Sequence, residues 1–131
     1  MMTKRQVSAL FDKVSATRAA GRDPIVVLDL DGTLYNNQHR TLRILQEFAH
    51  AHGAENPGLV AAVDSLSPDQ VRYAMTDTLG AAGLAEPEVL AAARQYWLDR
   101  FFTDAYLGYD LPTPGAVAFV HLIHKAGGVP A

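Results

Sequence analysis

Apolar residues recur at helical spacing along most of the chain, and at one place they run together without alternation. Val7, Leu10, Phe11 and Val14 share one helical face, and Thr3 with Gln6 three positions later forms a capping box, which predicts a helix over residues 3–20. Gly21-Arg22-Asp23-Pro24 breaks that pattern. Ile25, Val26, Val27 and Leu28 then follow in succession, predicting a strand over residues 25–30 that is covered on both faces, as in a parallel sheet flanked by helices. Gly32 and the polar Asn36-Asn37-Gln38 make a loop after it.

From residue 39 to 109 the period is helical throughout, with no second convincing strand. Leu42, Leu45, Phe48 and Ala49 lie on one face of a helix that ends near Gly53. Ser67-Pro68-Asp69-Gln70 reads as a capping box with proline at the first helical position, predicting a helix that carries Val71, Met75, Thr78 and Leu79 and stops before Gly83. Pro87 starts another, in which Val89, Ala93, Trp97 and Phe101 fall four apart; the stripe Tyr96, Trp97, Phe101, Phe102 reads as helix-packing core. Leu111-Pro112-Thr113-Pro114-Gly115 is a stiff connector, and Thr113 is placed to cap a helix over 114–126 with Val117, Val120 and Ile123 inward. Gly127-Gly128 ends that helix, and the next parallel strand of an α/β pattern is expected beyond Ala131.

These patterns predict a mostly helical α/β chain in three segments. Residues 1–38 carry the first helix, the strand and its loop, residues 39–111 are helical, and residues 112–131 carry the connector and a last helix that ends before a second strand. At 131 residues the length suits one compact domain or a small core with an insertion. With 49% hydrophobic and 19% charged residues the chain is a globular one. A formal net charge of −3 and unclustered Lys and Arg leave no basic field for a nucleic-acid backbone. The absence of cysteine excludes disulfides and thiolate metal sites and fits a reducing cytoplasm, the expected location. The polar, then amphipathic, N-terminal segment predicts neither a signal peptide nor a membrane span.

The chemistry concentrates at the end of the strand. Residues two apart on a strand point to the same side, so Asp29 and Asp31 face one pocket, and Gly32 allows a turn that a Cβ would hinder. A divalent cation relieves the repulsion of two carboxylates, and magnesium takes one or two carboxylates with water and substrate phosphate. One aspartate is then free to attack phosphorus while the other exchanges protons with leaving group and water. An EF-hand is rejected, because counting from Asp29 puts Leu34 and Arg40 where glycine and glutamate are needed. The glycine patterns of dinucleotide folds and P-loops are absent. His39, Arg40 and Arg43 are candidates for contact with the anionic or polar part of a substrate, against the plainer reading of a solvated helix start. His50, His52, His121 and His124 read as surface or packing histidines, since no third ligand stands at suitable spacing.

The string Asp29-Leu30-Asp31-Gly32-Thr33-Leu34 after an apolar strand resembles the first motif of the haloacid dehalogenase-like (HAD) hydrolase superfamily. The resemblance covers residues 25–128, with its sharp motif confined to 25–34. It implies a Rossmann-like core with an inserted all-helical cap. It implies Asp29 as nucleophile and Mg²⁺ ligand, Asp31 as general acid/base and second metal ligand through its main-chain carbonyl, Thr33 as a brace of the loop, and main-chain N–H groups near Leu30 and Asp31 as phosphate receivers. Aspartate at position 31 favours phosphoryl transfer over dehalogenation.

Three later motifs of that family have no counterpart here: a Ser or Thr ending a second core strand, a lysine that balances phosphate charge, and a further acidic pair. Lys125 lies on the last helix and does not stand in for the lysine. The expectation is an N-terminal portion of a magnesium-dependent phosphomonoester hydrolase, slow or inactive alone, whose missing strands come from the rest of the protein or another chain. Its substrate would be a small phosphorylated metabolite, and neither nucleic acid nor membrane is expected as a partner. The alternatives are a phosphomutase using the same aspartyl-phosphate and a non-catalytic interaction or remnant module.

Overall fold

The structure, a computed structural model, describes residues 2–131 and divides into two compact units, one made of the chain up to Tyr35 together with Pro112–Ala131, the other of Asn36–Leu111. Helices dominate, strands are two residues long, and no helix among the described residues is long and apolar enough to cross a membrane.

In the first unit, α1 (Lys4–Ala19) begins with the expected capping box, Thr3 Oγ1 accepting from the Gln6 N–H and Gln6 Oε1 accepting from the Thr3 N–H. It ends where Gly21 takes a φ of +75°. The chain then enters β1 (Ile25–Val26). Two further short strands, β2 (Tyr35–Asn36) and β3 (Leu111–Pro112), mark the places where the chain passes from one unit to the other. The helix preceding the C-terminus, α6, spans Ala116–Lys125 and leads into β4 (Val129–Pro130).

β4 corrects the expectation that a second core strand lies beyond Ala131. It pairs in parallel with β1, Ile25 opposite Val129 and Val26 opposite Pro130. The Val129 N–H donates to Pro24, the Ala131 N–H to Val26 and the Leu28 N–H to Ala131, each at 2.8 Å. The turn into β4 depends on its glycines: Gly127 sits at φ +90°, and a Cβ on Gly128 would meet Ile123 Cγ2 at 2.8 Å. The Gly-Gly pair thus ends α6 and also brings β4 close to the core.

That core is Val14, Val26 and Ile123, with Leu10, Phe11, Leu28, Phe119 and Ala126 packed around it and Phe11 edge-on to Phe119 at 6.2 Å. Burial of the strand on both faces is not what is found. Ile25 is 66% and Val27 82% exposed, because side chains alternate along a strand and only the side bearing Val26 meets α1 and α6. Two details of α6 also differ from expectation. Gly115, at φ +84°, precedes its first turn with no side-chain cap, so Thr113 does not cap it; and Phe119 and Ile123 face the core while Val117 is exposed.

The second unit is all helical: α2 (Gln38–His52), α3 (Pro57–Asp64), α4 (Met75–Ala81), α5 (Pro87–Phe101), and short 3₁₀ turns at Pro68–Gln70 and Asp104–Tyr109. Leu45, Phe48, Ala49, Leu59, Val63, Met75, Leu79 and Ala93 form one buried cluster. α3 falls within the stretch whose period is helical, and Pro57 stands in its first turn, with Leu59 and Val63 turned into the cluster. The Ser67 capping box forms, Gln70 Oε1 accepting from the Ser67 N–H at 2.8 Å, but it opens a single 3₁₀ turn rather than a long helix. Burial of Val71 pulls the chain into an extended path, where its carbonyl accepts from Gln38 Nε2 and the Arg72 N–H donates to buried Thr78. Tertiary partners thereby replace the helical hydrogen bonds. In the aromatic stripe, Phe101 is buried and stacks with Trp97 at 4.4 Å, while Phe102 is largely exposed.

Candidate functional site

The segment following β1 is a tight turn rather than a continuation of the strand. The carbonyl of Leu30 accepts from the N–H groups of Thr33, Leu34 and Tyr35 at 3.0–3.2 Å, and the Gly32 N–H donates to the Tyr35 carbonyl at 2.9 Å. Gly32 stands at φ +75°, the left-handed region that glycine enters without the Cβ penalty. The strand is shorter than the expected residues 25–30: only Ile25 and Val26 pair with β4, and the turn begins at Leu30. Tyr35 closes the loop through its backbone N–H and carbonyl, a role that its side chain does not announce in the sequence.

The turn gathers Asp29, Leu30, Asp31, Gly32 and Thr33 on one exposed loop at the carboxyl end of a parallel strand, the end at which open α/β sheets carry their ligands. Thr33 Oγ1 donates to Asp29 Oδ2 at 2.9 Å, which fixes one carboxylate oxygen and leaves Oδ1 for other chemistry. Asp31 forms a bridge with Tyr35, anchoring its backbone in the turn. The turn uses the amides of Gly32 to Tyr35, and the Leu30 N–H stands outside it. Asp29 and Asp31 offer oxygen donors of the kind a hard cation takes, and two carboxylates are within what magnesium requires of a protein. Among the described residues no group of three or more His, Asp or Glu side chains converges on a common point. A groove of about 380 Å³ runs beside β1 between Leu10, Lys13 and Thr17 on one side and Ile25 and Val27 on the other, and none of residues 29–33 lines it.

His39, Arg40 and Arg43 all belong to α2 of the helical unit. Arg40 is not a solvated helix-start residue: its side chain is buried, with Nε on Asp110 Oδ1 and Nη1 on the Phe101 carbonyl, each at 2.9 Å. Its guanidinium is engaged inside the unit, which removes the fork that a substrate anion would need. Arg43 is half exposed, bonded to Glu47 Oε1 at 3.1 Å and set over the Tyr109 ring. Glu47 also accepts from the Tyr106 hydroxyl, and that hydrogen bond, with burial behind it, raises the Tyr106 pKa above its ordinary value. His50 meets Asp64 at 3.3 Å, and His52 packs on Phe48 at 4.7 Å.

No protein-family model, no curated protein and no solved structure matches this chain.

Proposed function

We propose that the chain carries the nucleophile loop of a magnesium-dependent phosphomonoester hydrolase acting on a small phosphorylated metabolite. The observation that supports this reading most directly is the Thr33 to Asp29 hydrogen bond within a loop closed on the Leu30 carbonyl at the end of β1. It holds Asp29 by Oδ2 and presents Oδ1. In this reading Oδ1 attacks phosphorus to form an aspartyl-phosphate, and the P–O bond to the leaving alkoxide breaks as Asp31 delivers its proton. Asp31 then takes a proton from water as that water attacks phosphorus. The bond from phosphorus to Asp29 breaks, releasing phosphate and restoring both carboxyl groups.

Asp29 and the Asp31 carbonyl would hold Mg²⁺, which supplies charge neutralisation for the phosphoryl oxygens when bound. In this reading the Leu30 N–H, which the turn's own hydrogen bonds do not use, would donate to a phosphoryl oxygen.

The test separates the loop from turnover. With Mg²⁺ and beryllium fluoride, the chain should give a bound ¹⁹F NMR signal that mimics the aspartyl-phosphate. Asp29→Asn should lose it, and phosphate release from p-nitrophenyl phosphate, where measurable, should vanish with the same change. Absence of a Mg²⁺-dependent fluoride signal in the wild type, or its survival in Asp29→Asn, would refute the proposal and leave a non-catalytic module. Phosphate moved within a substrate rather than released to water would identify a mutase.

A further inference from the structure

The helical unit is closed at the point where the chain enters and leaves it. Arg40 lies in the first turn of α2 and Asp110 immediately precedes β3, seventy positions later, yet their side chains meet at 2.9 Å with relative exposures of 3% and 9%. The same guanidinium donates to the Phe101 carbonyl and lies over the Phe101 ring at 3.9 Å. Trp97 stacks on that ring and donates its indole N–H to Thr41 at 3.2 Å. The start of α2, the end of α5 and the last residues of the unit therefore converge on one buried pair. Charges this far from water persist only when each is satisfied, and removing one partner strands the other at high cost. A link between segments so distant in sequence also holds closed the loop whose closure entropy the fold has already met.

We propose that the Arg40–Asp110 pair is a clasp that makes Asn36–Leu111 a self-contained cooperative unit, one that keeps its helices when the smaller unit opens. Native-state hydrogen exchange of the full chain, followed by mass spectrometry in rising urea, tests this. Amides of α2 and α5 should stay protected at urea concentrations where those of β1 and β4 exchange freely. The fluorescence of Trp97, the single tryptophan, should change with the α2 and α5 step. Asp110→Asn, which keeps the shape and removes the charge, should move that step to lower urea and leave the β1 and β4 step in place. Arg40→Lys, which keeps the charge and gives up the planar fork, should move it the same way by less. A single common step in the wild type overturns the proposal. So does an α2 and α5 step that neither variant moves, or a shift equal in both units.

Discussion

The helical unit buries Ile44, Leu45, Phe48, Leu59, Val63 and Leu79 almost completely, whereas the α/β unit has Val14, Val26 and Ile123 in that condition and leaves Ile25 and Val27 in water. The contrast follows from what each element needs. A helix satisfies its own backbone and asks only for a partner on its apolar face, so three connections suffice to bring α2, α3, α4 and α5 around one core. A parallel strand takes its hydrogen bonds from neighbours and its burial from layers on both sides. β1 has a neighbour in β4 and cover on the Val26 side alone. The unit that bears the candidate chemistry is thus the less consolidated of the two, and the unit that bears the packing holds the buried Arg40–Asp110 pair internally.

The largest test of that contrast is Phe48→Ala. Phe48 is 2% exposed and packs on Tyr96 and His52, so its truncation should cost about 3–5 kcal/mol, read as an earlier loss of Trp97 fluorescence in urea. Loss of the α1 and α6 signals at the same urea would show that the two cores are one cooperative system, and the comparison would fail.

A smaller effect sits at Tyr106. Its hydroxyl donates to Glu47, which raises its folded pKa above the ordinary value of 10.0. For a group raised on folding, the stabilisation is complete below the unfolded pKa and is lost as pH climbs through the folded one. The stability advantage of wild type over Tyr106→Phe should therefore hold at pH 8 and shrink by pH 11. An advantage that stays constant across that range would mean the hydroxyl contributes nothing through its proton.

The smallest expected effect is at the open strand face. Val27→Thr should change stability by no more than about 0.5 kcal/mol, since the side chain already lies mostly in water. A cost of several times that value would mean Val27 is covered in solution and the α/β unit is better buried than it stands here.

Much of the local architecture was legible because its causes are local. The Thr3 and Gln6 pair, Pro87 at a helix start and the four-residue spacing from Val89 to Phe101 each specify structure through residues only a turn apart. Where neighbours in space decide, local patterns do not specify the outcome. Ser67-Pro68-Asp69-Gln70 gave a single 3₁₀ turn because Val71 is drawn into the core, and Val117 faces water because Phe119 and Ile123 occupy the inward side. Arg40 was indistinguishable in sequence from a solvated arginine, since its partner Asp110 is seventy residues away.

Sequence alone determined which residues stand together on the loop, Asp29 to Thr33, because a short strand, a glycine at positive φ and two carboxylates two positions apart are set by contiguous residues. Only the tertiary structure decided that Thr33 grips Asp29 Oδ2, that Val129 and Pro130 pair beside β1, and that Arg40 is a buried closure of the helical unit. Hydrogen bonds and burial depend on distances between groups, and along a chain those distances are fixed only within a turn or two. Beyond that range, the packing of the whole unit sets them.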